Sequence, residues 1–93
     1  MASSKEIAEA IGIRLPWVRR LAASGRIPGV VRRPDGGWEW DEVAQRWAGD
    51  VRLLREEGGM GIRTLLTLEP ANVNRAADAL RRTLTRQEAE RGA

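Results

Sequence analysis

Six arginines, Arg14, Arg19, Arg20, Arg26, Arg32 and Arg33, fall within twenty residues that hold no acid. A guanidinium presents a rigid fork of N–H donors that matches phosphate oxygens and the edge of guanine. Arginine at this density therefore points to a phosphate-bearing partner. Of the sixteen basic residues in the chain, only Lys5 is a lysine. Thirteen acids bring the net charge to just +3, so the signal lies in where the charge sits. Catalysis lacks its usual residues. The absence of cysteine and histidine removes thiolate zinc sites, a cysteine nucleophile and any histidine-based triad. The acids are scattered among arginines on what read as helical faces. Non-enzymatic binding is expected, with no cofactor and no metal.

The elements that must carry these arginines follow from capping and periodicity. Ser3-Ser4-Lys5-Glu6 has the form of a capping box, so a helix is expected from about Ser4 to Ile11, with Gly12 as its left-handed stop. Pro16 suits the start of a second helix, in which Val18, Leu21 and Ala22 share a side and which Gly25 ends. With Val18 inward, about 100° per residue turns Pro16, Arg20 and Ala23 away from the core and sets Trp17, Arg19 and Ser24 on the flanks. Two short helices across a tight glycine turn have the form of a helix-turn-helix, whose second helix is presented to the major groove.

Two β-prone runs, Val30 to Arg33 and Trp38 to Trp40, flank the turn Pro34-Asp35-Gly36-Gly37 and read as a hairpin with Arg32 and Arg33 beside its tip. In a chain with no Phe or Tyr, Trp40 and Trp47 are expected in the core and Trp38 partly so. Asp41 is a candidate N-cap for a third helix with Val43, Trp47, Val51 and Leu54 as its apolar stripe; one helix running on to about Glu57 is favoured over a stop at Gly49 with Asp50 capping a new helix. Gly58 to Gly61 is a hinge, and GIRTLLTLEP leans to a short helix. Pro70 opens a last helix whose stripe, Val73, Ala77, Leu80 and Leu84, is too narrow to stay bare. Packing on the third helix would cover it. Self-association is the preferred expectation, because one winged module buries little surface on DNA. Residues 86–93 look frayed. The expected fold is mainly α with a small β-hairpin: a winged helix-turn-helix over residues 1–48, then a C-terminal helical extension over residues 49–93.

Residues 3–47 resemble the excisionase-type, MerR-like winged helix-turn-helix domains. The likeness rests on the capped helix ending in Ala-Ile-Gly-Ile, then WVRRL, then SGRIP, a short hairpin holding tryptophan, and Asp-Glu-Val leading into an amphipathic helix. The resemblance implies that Arg14, Pro16, Trp17, Arg19 and Arg20 line a DNA-reading helix. It also implies that Arg32 and Arg33 on the wing touch the backbone or minor groove. Arg20 is the candidate for a base edge, and Arg14, Arg32 and Arg33 for phosphate anchors. Arg26 is equally suited to capping helix carbonyls.

The function implied is that of a phage- or mobile-element-type protein that binds double-stranded DNA, as an excisionase (recombination directionality factor) or a transcription regulator. Two other roles fit the helical extension: a small terminase-like packaging subunit, and an antitoxin or adaptor that grips a protein partner through residues 58–93. Apolar runs are too short to span a bilayer, and MASSKEIAEA lacks the order of a secretory signal. No membrane association and a cytoplasmic location are expected.

Overall fold

Capping signals near the N-terminus fold as their chemistry requires. In the computed structural model, which describes residues 1–92, strand β1 (Ala2–Ser3) leads directly into helix α1 (Ser4–Ile11). Ser3 is the N-cap: its Oγ accepts from the Glu6 N–H at 3.2 Å, and the Glu6 carboxylate accepts from the Ser3 N–H at 3.4 Å. Gly12 stops the helix at φ +82°, a left-handed conformation open to glycine. The last carbonyls of α1 are satisfied from far along the chain. Arg55 Nη1 donates to Ile11 O at 3.0 Å and to Gly12 O at 3.3 Å. Helix α2 (Leu15–Ala23) follows, with Pro16 in its first turn and Val18 and Ala22 buried.

Strands β2 (Val30–Arg32) and β3 (Trp38–Trp40) form the expected hairpin, with Val30 opposite Trp40 and Arg32 opposite Trp38. The sheet has a third strand that sequence reasoning missed. β1 pairs antiparallel with the other edge of β3, placing Ala2 opposite Trp40, so the order is β1-β3-β2. Two residues are too few to show a period. Gly29, at φ +87°, joins α2 to the sheet: a Cβ there would collide with Asp41 Oδ1 and lie 2.9 Å from Ala44 N. That contact seats the hairpin on the start of helix α3 (Glu42–Glu56), where the Asp41 side chain accepts from the Ala44 N–H at 3.0 Å.

Helix α3 is continuous through Gly49, as expected, and is the spine of the core. Trp40 and Trp47 stack with ring centroids 6.2 Å apart, and both are buried. The stripe is shifted from the expected one. Ala44, Trp47, Ala48, Val51 and Leu54 face inward, while Val43 is 54 % exposed. The backbone at Gly29 approaches Asp41 and Ala44 closely, and the small Ala44 takes the inward place there.

Helices α4 (Ile62–Thr67) and α5 (Pro70–Gly92) complete the fold. Leu65, Val73 and Ala77 are fully buried in the same core as Ile7, Val18 and Trp47, and Leu80 packs against it. Packing within the chain, the other cover open to this stripe, accounts for most of it. Val73, Ala77 and Leu80 are covered by their own chain, and Leu84 alone remains half-buried beyond the core. The expected boundary between residues 48 and 49 lies inside α3, and one core draws on both sides of it.

An ion-pair cluster fixes α5 against α3. Asp50, fully buried on α3, accepts from Arg81 Nη2 and has Arg46 Nε 3.8 Å from its other oxygen. Arg46 and Arg81 both reach Asp78, at 3.0 and 3.2 Å. The Asp50 carboxylate raises the Arg81 pKa through their hydrogen bond. The segment expected to fray is helical as far as Gly92, and Ala93 lies outside the described residues. Among the described residues, no helix is long and apolar enough to cross a membrane.

Candidate nucleic-acid interface

Helix α2 is a shared wall of two concavities, and three of the six arginines of the arc, Arg14, Arg19 and Arg33, line them. On one side, a polar cleft of about 370 Å³ lies between α2, the start of α1 and the hairpin, lined by Lys5, Leu15, Arg19, Arg33, Gly37 and Trp38, with Ser3 and Ser4. On the other, an apolar groove of about 480 Å³ runs between the α1–α2 turn and α4, where Ile13, Arg14 and Trp17 face Ile62, Arg63 and Leu66.

Arg14 is the backbone N-cap of α2, makes no side-chain capping bond and is exposed. Pro16 and Arg19 are exposed as well. Trp17 is 48 % exposed, and the Arg20 guanidinium lies over its ring, 5.8 Å from the centroid. That cation–π contact holds Arg20 close along the outer face of the helix while leaving its N–H edge open. At the hairpin, the Arg32 guanidinium lies 5.6 Å from the Trp38 ring centroid, a second pairing of the same kind.

Arg33 differs from its neighbours. Its Nη2 and Nε donate to the Asp35 carboxylate at 2.7 and 3.1 Å, and Asp35 also accepts from the Gly37 N–H at 2.9 Å. The Arg33 hydrogen bonds, with the Gly37 N–H behind them, lower the Asp35 pKa to about 2; the same pair raises that of Arg33. The arc is free of acid, yet the acid two residues beyond its end neutralises its last member. Arg26 is also engaged: its Nη2 donates to Thr67 O at 3.2 Å, tying the end of α2 to the end of α4. Of the two roles open to it, the carbonyl-binding one is occupied, at α4 instead of its own helix.

Arg14, Arg19, Arg20 and Arg32 thus carry no ion pair among the described residues. Two cationic residues were missed from sequence. Lys5 enters the cleft because the capping box brings the start of α1 beside α2. Arg63 enters the groove because α4 folds back past the Gly58–Gly61 hinge. No cluster of three or more metal-ligating acids occurs among the described residues. No protein-family model, curated protein or solved structure matches the chain.

Proposed function

We propose that the chain binds double-stranded DNA as a winged helix-turn-helix protein of phage or mobile-element type. It would act in the cytoplasm as an excisionase, or recombination directionality factor, or as a transcription regulator. One observation carries this: Arg14, Arg19 and Arg20 are exposed around one helix without an acidic partner, Arg19 beside a cleft that adds Lys5 and ends at the hairpin.

In this arrangement α2 enters the major groove and β2–β3 is the wing. Arg20, steered by Trp17, is the base-reading group, since a bidentate guanidinium–guanine contact is the commonest specific pairing. Arg14, Arg19, Arg32 and Lys5 hold phosphates, which fixes register without reading sequence.

The test starts from duplexes selected out of a random library. Arg20→Ala is expected to cost ~1–3 kcal/mol on the selected site and to flatten preference at one base position in fluorescence anisotropy. Binding unchanged on every sequence would remove α2 from the reading role.

A further inference from the structure

We propose that the apolar groove between the α1–α2 turn and α4 is a docking site for an acidic, amphipathic helical segment of a partner protein. Ile13, Ile62 and Leu66 lie half-buried along it, and Trp17, the one largely exposed tryptophan, stands at its side. Its volume of about 480 Å³ falls within the range of sites that enclose ligands, roughly 300–1,000 Å³. Apolar side chains presented every three or four residues along a helix fill such a groove.

Charge selects the occupant. Arg14 and Arg63, one from each wall, make no ion pair or side-chain hydrogen bond among the described residues, so the rim is cationic and open. A second copy is a poor match. The arm of α5 beyond the core carries Arg82, Arg86 and Arg91 against Glu88 and Glu90, and would bring positive charge to a positive rim. Duplex DNA would satisfy the arginines but has no apolar side chains to fill the space between Ile62 and Trp17. A segment with acids flanking Leu or Phe satisfies both requirements. This site does not depend on DNA binding, although Arg14 and Trp17 belong to both surfaces.

Two synthetic tryptophan-free peptides test it against the full ¹⁵N-labelled chain. One carries Leu and Phe at i, i+4 and i+7 with Glu and Asp between them; the other keeps the apolar residues and replaces every acid with Lys. The acidic peptide is expected to shift the Trp17 indole and the amides of Ile13, Ile62 and Leu66, while the basic one leaves them unmoved. The R14E/R63E double variant alters two exposed side chains, so the fold is retained, as its amide dispersion will verify. It should bind the acidic peptide at least tenfold more weakly and gain binding to the basic one. Equal binding of the two peptides, binding of neither at millimolar concentration, or shifts mapping elsewhere overturns the proposal. So does a self-dimer seated on the groove in ultracentrifugation. A chain that takes the acidic peptide yet ignores duplex DNA keeps this site and loses the DNA assignment, so the two fail separately.

Discussion

Removing the charge of Asp35 separates the arginines that are available to phosphate from the one that is not. Asparagine at this position keeps an Oδ1 acceptor for the Gly37 N–H, now 2.9 Å away, and so preserves the turn. It abolishes the carboxylate that holds Arg33 at 2.7 Å. Protonation cannot do the same in a working buffer. The folded-state pKa of Asp35 is lowered to about 2, so the carboxylate stays ionised and the pair closed throughout the neutral range; it opens only as pH falls through that value.

In the wild type, four unpaired arginines (Arg14, Arg19, Arg20 and Arg32) and Lys5 face the proposed DNA. Neutralising about four to five phosphates gives a slope of log affinity against log salt of about −3.6 to −4.5, a loss of about 150- to 500-fold between 50 and 200 mM salt. Freeing Arg33 adds about one contact, so D35N should steepen the slope by ~0.9 and lose ~3.5-fold more over the same interval. The complementary variant, R33Q in the wild-type background, should leave the slope almost unchanged. Both are read by fluorescence anisotropy on one duplex at five or six salt concentrations. A slope near zero in the wild type would contradict DNA binding itself. A drop of ~0.9 in R33Q would show that Arg33 exchanges Asp35 for phosphate, refuting the commitment inferred from the pair.

Three further outcomes test the fold that positions this surface. Arg81→Leu leaves the fully buried Asp50 with only Arg46 at 3.8 Å. Because the Arg81 side chain is itself 47 % exposed, the cost should fall below that of a wholly buried pair, about 2–3 kcal/mol, lowering Tm by roughly 10–20 °C. The D50L/R81L double variant should recover to within ~1 kcal/mol of wild type, and an unchanged Tm in the single variant would deny the pair its role. Gly29→Ala should destabilise by roughly 3 kcal/mol in urea melts, combining a strained positive φ with overpacking against Asp41; a change under ~0.5 kcal/mol would contradict the close approach. Val43→Lys should be neutral within ~0.5 kcal/mol, since Val43 is exposed, whereas a large loss would restore it to the core.

Much of the chain was legible where a residue type has one dominant local role. Ser3 and Glu6 specify a helix start, Gly12 its stop, Pro34 to Gly37 a turn, and Trp40 and Trp47 a core in a chain without Phe or Tyr. Capping and periodicity also gave α1, α2, α3 and α5, with the continuous form of α3 favoured through Gly49, whereas GIRTLLTLEP only leaned towards the helix that forms α4. Periodicity failed where two registers fit equally. Val43 and Ala44 both lie a turn from Trp47, and hydrophobicity favoured valine, whereas the space left beside Asp41 favours alanine. β1 escaped notice because its two residues owe their strand geometry to pairing with β3. Buried Asp50 read as a possible cap in the sequence, because its partner Arg81 lies thirty-one residues away. The candidate surface was legible as charge and only partly as geometry. The arginines on α2 could be assigned to a face, but the commitment of Arg26 to Thr67 and the arrival of Lys5 and Arg63 depend on the tertiary fold.

The stripe on α5 shows what periodicity leaves undecided. Val73, Ala77, Leu80 and Leu84 declare that one face of a helix must be covered, and spacing says nothing about which chain covers it. Here α3 does, and the Asp50–Arg81 pair fixes where along α5 the contact falls. With that face closed, two copies on neighbouring DNA sites cannot associate through Val73, Ala77 or Leu80 without unpacking the core. On the proposed DNA, cooperation between copies would come from another exposed surface, such as the α5 arm beyond Leu80, or from the duplex itself, if bending by one copy lowered the cost of bending for the next. In that case occupancy should depend on the spacing of sites along the helix, a property of the duplex, more than on any affinity of the free protein for itself.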